Sequence, residues 1–253
     1  MRLAGDHAVV TGAGTGIGAS IARALAAEGA KLTLVGRRQA PLDAIAGAGS
    51  NSFVATADVT DRAQVDASFA RARAAQGPFT ILVNNAGAAE SAPFGKVTGE
   101  DWRHMMAVNL EALFYCCQTA LPDLLEARDG RIVTIASTAA LRGYAYTAPY
   151  VAAKHGALGL TRALAAEFAG TSLTVNAVCP GFTDTELVAK TVARISGKTG
   201  RSEVQARAEL VRFNPQGRLI SPEEVASAVV WLCLPESRSM NGQAISVSGG
   251  EVT

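Results

Sequence analysis

Short β-branched runs alternate with long alanine-rich segments from one end of the chain to the other. His7–Thr11 (HAVVT) predicts a strand, and Gly16–Gly29 a helix with Ile17, Ile21, Ala24 and Leu25 on one face. The same reading predicts strands over Leu32–Val35, Phe53–Thr56, Phe79–Asn84, Arg131–Ala136, Leu173–Val178 and Ala244–Val247. Between them, Pro41–Ala46, Arg62–Ala75, Glu100–Ala127, Tyr150–Ala169 and Pro222–Leu234 read as helices, the long one breaking near Pro122. Such alternation predicts an α/β fold, a doubly wound parallel sheet of Rossmann-like type in one domain spanning residues 1–253. The apolar run Phe79-Thr80-Ile81-Leu82-Val83 fits a strand covered on both faces. One stretch breaks the rhythm. Thr183–Pro215 is polar, charged and too long for an ordinary connection, so it is expected to be a lid before the last helix, at the carboxyl edge of the strands where ligands bind.

Composition narrows the function classes. A formal net charge of +1 gives no support for a nucleic-acid surface. No apolar run approaches the ~20 residues of a membrane span, and the first residues enter a short strand almost at once, so neither membrane nor secretion is expected. Cys116, Cys117, Cys179 and Cys233 form no CxxC or Cys/His cluster; they read as buried reduced thiols, with no metal, in a cytoplasmic protein.

The first strand runs into Thr11-Gly12-Ala13-Gly14-Thr15-Gly16-Ile17-Gly18, and a helix follows. A strand–glycine loop–helix unit offers backbone N–H groups and a positive helix end to a pyrophosphate. Gly12 permits the turn, Gly16 clears the approach, and Gly18 lets helix and strand pack closely. With this TGxxxGxG spacing the chain resembles the short-chain dehydrogenases/reductases, and the resemblance runs through almost all of it. Asn84-Asn85-Ala86-Gly87, Asn109 in the long helix, Ser137 after strand five, Tyr150 and Lys154 as YxxxK, and Pro180-Gly181 after strand six match that family in order.

Residues i and i+4 of a helix share a face. An ammonium beside a phenol, whose ordinary pKa is about 10, is therefore expected to lower it and make Tyr150 a general acid/base. The resemblance implies that Lys154 also holds the nicotinamide ribose, that Ser137 orients the substrate oxygen, and that Asn109 holds a water linking Lys154 to solvent. It further implies that Gly12, Thr15, Gly16, Ile17, Gly18, Asp58, Val59, Asn85, Ala86, Gly87, Pro180, Gly181, Thr183 and Thr185 surround the cofactor, together with Tyr150 and Lys154. Tyr144 and Tyr146 are rival tyrosines, but neither has a lysine four residues on.

The second strand ends in Leu34-Val35-Gly36-Arg37-Arg38, with no acidic residue to repel a ribose 2′-phosphate. Arg37 and Arg38 favour NADP(H), with NAD(H) as the alternative. Ser137, Ala139, Leu141, Tyr144, Tyr150, Phe182 and Leu187 are expected to line an apolar substrate pocket. Within Glu186–Phe213, six basic side chains (Lys190, Arg194, Lys198, Arg201, Arg207, Arg212) outweigh Glu186, Glu203 and Glu209, giving +3. That charge suits an anionic substrate such as an acyl thioester, or else a solvated helix surface.

Pro215-Gln216-Gly217-Arg218 and Gly242-Gln243 resemble 3-oxoacyl thioester reductases, 3-hydroxyacyl-CoA dehydrogenases and polyketide ketoreductases. The expected activity is hydride transfer between a nicotinamide and a carbonyl or secondary alcohol. A non-catalytic redox sensor, or cofactor-assisted isomerisation or dehydration, are the alternatives. The family resemblance implies a homotetramer.

Overall fold

The computed structural model describes residues 1–47 and 51–252. Seven strands of the described residues form one parallel sheet: β1 (His7–Thr11), β2 (Lys31–Gly36), β3 (Ser52–Thr56), β4 (Ile81–Asn84), β5 (Arg131–Ile135), β6 (Thr174–Pro180) and β7 (Ala244–Val247). Their order is β3-β2-β1-β4-β5-β6-β7, and every neighbouring pair is parallel. The strand order reverses between β1 and β4, the switch point at which an open α/β sheet leaves a crevice.

Alternation along each strand feeds two cores. Val10, Val83 and Val133 point to one face, under α1 (Gly16–Ala27) and α9 (Pro222–Cys233). Val9, Leu82 and Ile132 point to the other, under α3 (Arg62–Gln76), α5 (Ala112–Glu126) and α6 (Ala148–Glu167). Burial on both faces explains the nearly continuous apolar strands. Two further helices are α2 (Gln39–Ala46) and α4 (Gly99–Met106).

Two expectations need correction. The long helix does not break at Pro122, which sits inside α5. It changes at Ala107–Glu111, a π-helical turn joining α4 to α5, with Asn109 at its middle. The Asn109 carboxamide donates to the Met105 carbonyl at 3.1 Å, satisfying a backbone group inside the widened turn. The second concerns the break in the rhythm at Thr183–Pro215, where the chain folds mainly into α7 (Glu186–Thr199) and α8 (Glu203–Val211). Val188, Val192, Ala206 and Leu210 give these helices a small core of their own over Leu219. Strongly charged outer faces hide that apolar stripe from a reading of the sequence by overall polarity. Elsewhere the predicted boundaries shift by one or two residues, as at α6, which begins two residues before Tyr150.

Candidate active site

The glycine loop leaves β1 and enters α1 at the switch point. Gly12 and Gly16 lie at φ +64° and +54°, which only glycine adopts without strain. A β-carbon on Gly18 would stand 2.3 Å from the Gly12 carbonyl oxygen and 2.4 Å from Asn85 Nδ2. Gly18 therefore works through packing, one layer behind the cleft. Gly18→Ala is expected to cost about 2 kcal/mol, the usual size of an overpacking penalty, and to lower Tm by roughly 4–8 °C in a thermal melt. An unchanged Tm would show that the loop can yield.

Asn85 supports the same loop from β4. Its amide donates to the Thr11 carbonyl at 2.9 Å and the Gly12 carbonyl at 3.2 Å, while Thr11 Oγ1 accepts from the backbone N–H groups of Asn85 and Ala86, both at 3.0 Å. Most of the expected cofactor residues, from Gly12, Thr15, Gly16 and Ile17 to Ala86, Gly87, Pro180 and Gly181, line one cleft of about 970 Å³. Thr183 and Thr185 close its far side; Thr185 caps α7 and faces Gly16.

At the end of β2, Arg37 and Arg38 are exposed on the same cleft. Among the described residues neither forms an ion pair with a carboxylate. Asp58 and Val59 line the cleft beside them. Burial pushes the Asp58 carboxyl up, but hydrogen bonds from the Thr60 backbone and hydroxyl, and the Arg37 charge, outweigh it and hold the group below its ordinary value.

Ser137, Tyr150 and Lys154 meet at the inner end. Ser137 Oγ accepts from the Ala139 N–H at 3.1 Å, which leaves the hydroxyl hydrogen free to donate. Tyr150 is half-buried, and Lys154 is buried with its Nζ donating to the Ile135 carbonyl at 2.9 Å. The expected depression of Tyr150 by Lys154 is absent. Burial pushes the phenol up, with the Ser137 hydroxyl opposing it, and the ammonium stands 5.8 Å from the ring centroid, held by a carbonyl. Burial also lowers Lys154 to about 8. At neutral pH both groups therefore carry their protons, the form that can donate to a carbonyl oxygen.

Asn109 lies behind them. Its amide donates to the Ala88 carbonyl at 2.9 Å, and Ala88 N–H donates to its Oδ1 at 3.3 Å. Between Asn109 and Lys154 is a cavity of about 10 Å³, large enough for one water, with the polar side chains of Thr11, Asn84 and Thr134 among otherwise apolar walls.

The substrate side is partly as expected. Ala139, Tyr144, Phe182 and Leu187 line the cleft. Leu141 does not; it packs on Ala136, Ala140 and Leu158 beneath the turn, because the 3-10 turn at Thr138–Ala140 rotates it inward. Phe213, unremarked in the sequence, lies 5.8 Å from Tyr144 and 5.4 Å from Phe182 between ring centroids. Tyr146 is an exposed lip residue at φ +67° whose carbonyl accepts from Ala92 across the mouth. Much of the positive charge on and around α7 and α8 is paired, since Glu209 bridges Arg201 and Arg212, and Arg207 meets Asp184. Arg194 lines the cleft with no such partner among the described residues.

Known proteins resemble this chain in sequence and fold. The short chain dehydrogenase family model matches residues 6–195. A D-beta-hydroxybutyrate dehydrogenase from Cupriavidus necator is 38% identical, covering 99% of both chains. The granaticin polyketide synthase putative ketoacyl reductase 1 of Streptomyces violaceoruber is 37% identical over 96% of this chain and 92% of its own. The crystal structure of a substituted actinorhodin polyketide ketoreductase with NADPH superposes with a TM-score of 0.92 at 36% identity, covering 97% of each chain.

Proposed function

The chain belongs to the short-chain dehydrogenase family and is an NAD(P)-dependent oxidoreductase of carbonyl and alcohol carbons, and from that premise we propose that it reduces a 3-oxoacyl thioester or a similar ketone with NADPH, using Tyr150 as proton donor. The observation that carries this reading is the meeting of Tyr150, Ser137 and buried Lys154 at the end of a glycine-lined cleft.

The residues present fit a dinucleotide. Gly12 and Gly16 take the positive-φ turns that aim the loop at the cleft, α1 offers its N-terminus, and Arg37 and Arg38, in no ion pair among the described residues, suit a 2′-phosphate. Asp58 and Val59 would meet the adenine, and Lys154 the nicotinamide ribose. Ala86, Gly87, Pro180, Gly181, Thr183 and Thr185 would enclose the remainder. When bound, the nicotinamide supplies the hydride. Ser137 donates to the substrate oxygen and orients it, Tyr150 gives that oxygen its proton, and Lys154 keeps a positive charge behind the phenol. The water-sized cavity between Lys154 and Asn109 supports a water-borne route that returns a proton to Lys154.

Ser137→Ala is expected to lower kcat by on the order of a hundredfold, the usual loss for one donor to a developing oxyanion. Steady-state kinetics with acetoacetyl-CoA checks it, and a change confined to KM would remove that role from Ser137. Support for an anionic substrate comes from Arg194, which lines the cleft and forms no ion pair among the described residues. The family's proteins named above act on hydroxybutyrate and ketoacyl groups, which favours the same class.

The reading takes residues 1–253 as one cofactor-binding and catalytic unit, with 183–215 as its lid. A homotetramer is the proposed assembly, supported by Trp102 on α4 and Phe114 on α5, large apolar side chains left partly exposed. No described helix is long and apolar enough to cross a membrane, and the cytoplasm is the proposed compartment.

A further inference from the structure

After β7 the chain turns through Gly249 and Gly250, at φ +64° and +93°, and brings Glu251 back against the wall of the cleft. Glu251 forms no ion pair among those of the described residues. Its Oε1 is bonded to the Tyr144 hydroxyl. Its Oε2 is buried with no hydrogen-bond partner among the described residues, and lies so close behind Gly181 that a β-carbon there would come within 2.9 Å. The Tyr144 oxygen is also 2.7 Å from Thr138 Oγ1.

A phenol has one hydrogen, and a carboxylate can only accept. The chain of bonds therefore runs from the Thr138 hydroxyl to Tyr144 and from Tyr144 to Glu251. That order uses the Tyr144 hydrogen and one of its lone pairs, and turns the hydroxyl away from any substrate. What remains for the cleft is the ring, edge-on to Phe182 and Phe213 at 6.3 and 5.8 Å, with the Arg142 guanidinium 5.1 Å from its centroid. Thr138 directly follows Ser137, so the same chain ties the C-terminal segment to the turn that carries Ser137.

We propose that Glu251 is a positioning residue that sets substrate selectivity: by holding the Tyr144 hydroxyl it presents an aromatic ring, together with Phe182 and Phe213, to the substituent of the reacting carbonyl, and so favours an apolar, planar substituent there. The proposal rests on the cleft being a ketone-reducing site. Loss of Glu251 frees the Tyr144 hydroxyl to swing toward the substituent and make that wall polar.

The test combines kinetics with a readout that needs no turnover. The wild type, Glu251→Ala, Glu251→Gln, Tyr144→Phe and the Glu251→Ala/Tyr144→Phe double variant are compared with NADPH on ethyl benzoylacetate and ethyl acetoacetate. Glu251→Ala is expected to lower kcat/KM for the phenyl ketone relative to the methyl ketone by about fivefold, mainly through KM. Glu251→Gln, which keeps an acceptor, restores the ratio to within about twofold, and Glu251→Ala has no further effect in the Tyr144→Phe background. In ligand-free protein labelled with 13Cζ-tyrosine, the Tyr144 resonance (assigned by its loss in Tyr144→Phe) moves in Glu251→Ala and stays near its wild-type place in Glu251→Gln. An unchanged ketone ratio, additive effects in the double variant, or a Tyr144 resonance indifferent to Glu251 would overturn the proposal. If the wild type reduces neither ketone, the functional reading fails and selectivity fails with it, while the resonance still decides whether Glu251 holds Tyr144.

Discussion

Tyr150→Phe is expected to lower kcat by about a thousandfold or more, within the range that a lost general acid removes. Phenylalanine keeps the ring that fills the half-buried site and removes only the hydroxyl. NADPH affinity should therefore stay within about threefold of the wild type, because the rest of the cleft is untouched. The wild-type phenol is pushed up by burial, so it holds its proton through neutral pH and is ready to give it to a ketone. Stopped-flow NADPH oxidation separates chemistry from binding. A variant within about tenfold of the wild-type rate would take the proton from some other donor and remove Tyr150 from its role.

The second large effect is on cofactor choice. Arg37→Ala is expected to weaken NADPH by about 2 kcal/mol, ~30-fold in Kd, the size of a lost charge-assisted hydrogen bond. NADH, which lacks the 2′-phosphate, should change by no more than about twofold to threefold. Arg37 is exposed just after β2 with no carboxylate paired to it among the described residues, so its charge is free for a ligand, and its effect on Asp58 places it at the same end of the cleft. Isothermal titration with both cofactors gives the comparison. Equal losses for NADPH and NADH would show that Arg37 stacks on the shared adenine instead of reading the phosphate.

The parts of this account that came from the sequence are those set by local rules. A strand buried on both faces must be apolar throughout, so Val9, Val10, Leu82 and Val83 marked their strands before any topology was known. A loop that turns tightly beside a packed helix needs glycine at fixed points, and Gly12 and Gly16 stand at its positive-φ turns while Gly18 stands where no β-carbon fits. Tyr150 and Lys154 share a helix, so their spacing alone brought them together.

What stayed hidden depends on contacts between distant segments or on burial. Glu251 meets Tyr144 more than a hundred positions away, and no spacing announces that bond. The partner of Lys154 is a backbone carbonyl of β5, invisible in side-chain patterns, and it explains why the expected depression of Tyr150 does not occur. Leu141 looks like a pocket residue until the 3-10 turn before it packs it against a small apolar cluster outside the cleft. The π-helical turn at Ala107–Glu111 costs no residue type a sequence rule would flag, whereas Pro122, which such a rule does flag, is accommodated inside α5. Helices α7 and α8 were obscured because Arg194, Arg201, Arg207 and Arg212 outweighed the apolar residues that face their small core.

The most direct test of the central claim is NADPH and NADH binding to the purified protein, followed at once by NADPH oxidation in the presence of acetoacetyl-CoA. The account predicts tighter binding of NADPH than of NADH and turnover of the thioester that disappears in Tyr150→Phe. Tight NADPH binding with no oxidation against acetoacetyl-CoA or any other ketone offered would contradict it and leave a nucleotide-binding protein that does not reduce carbonyls.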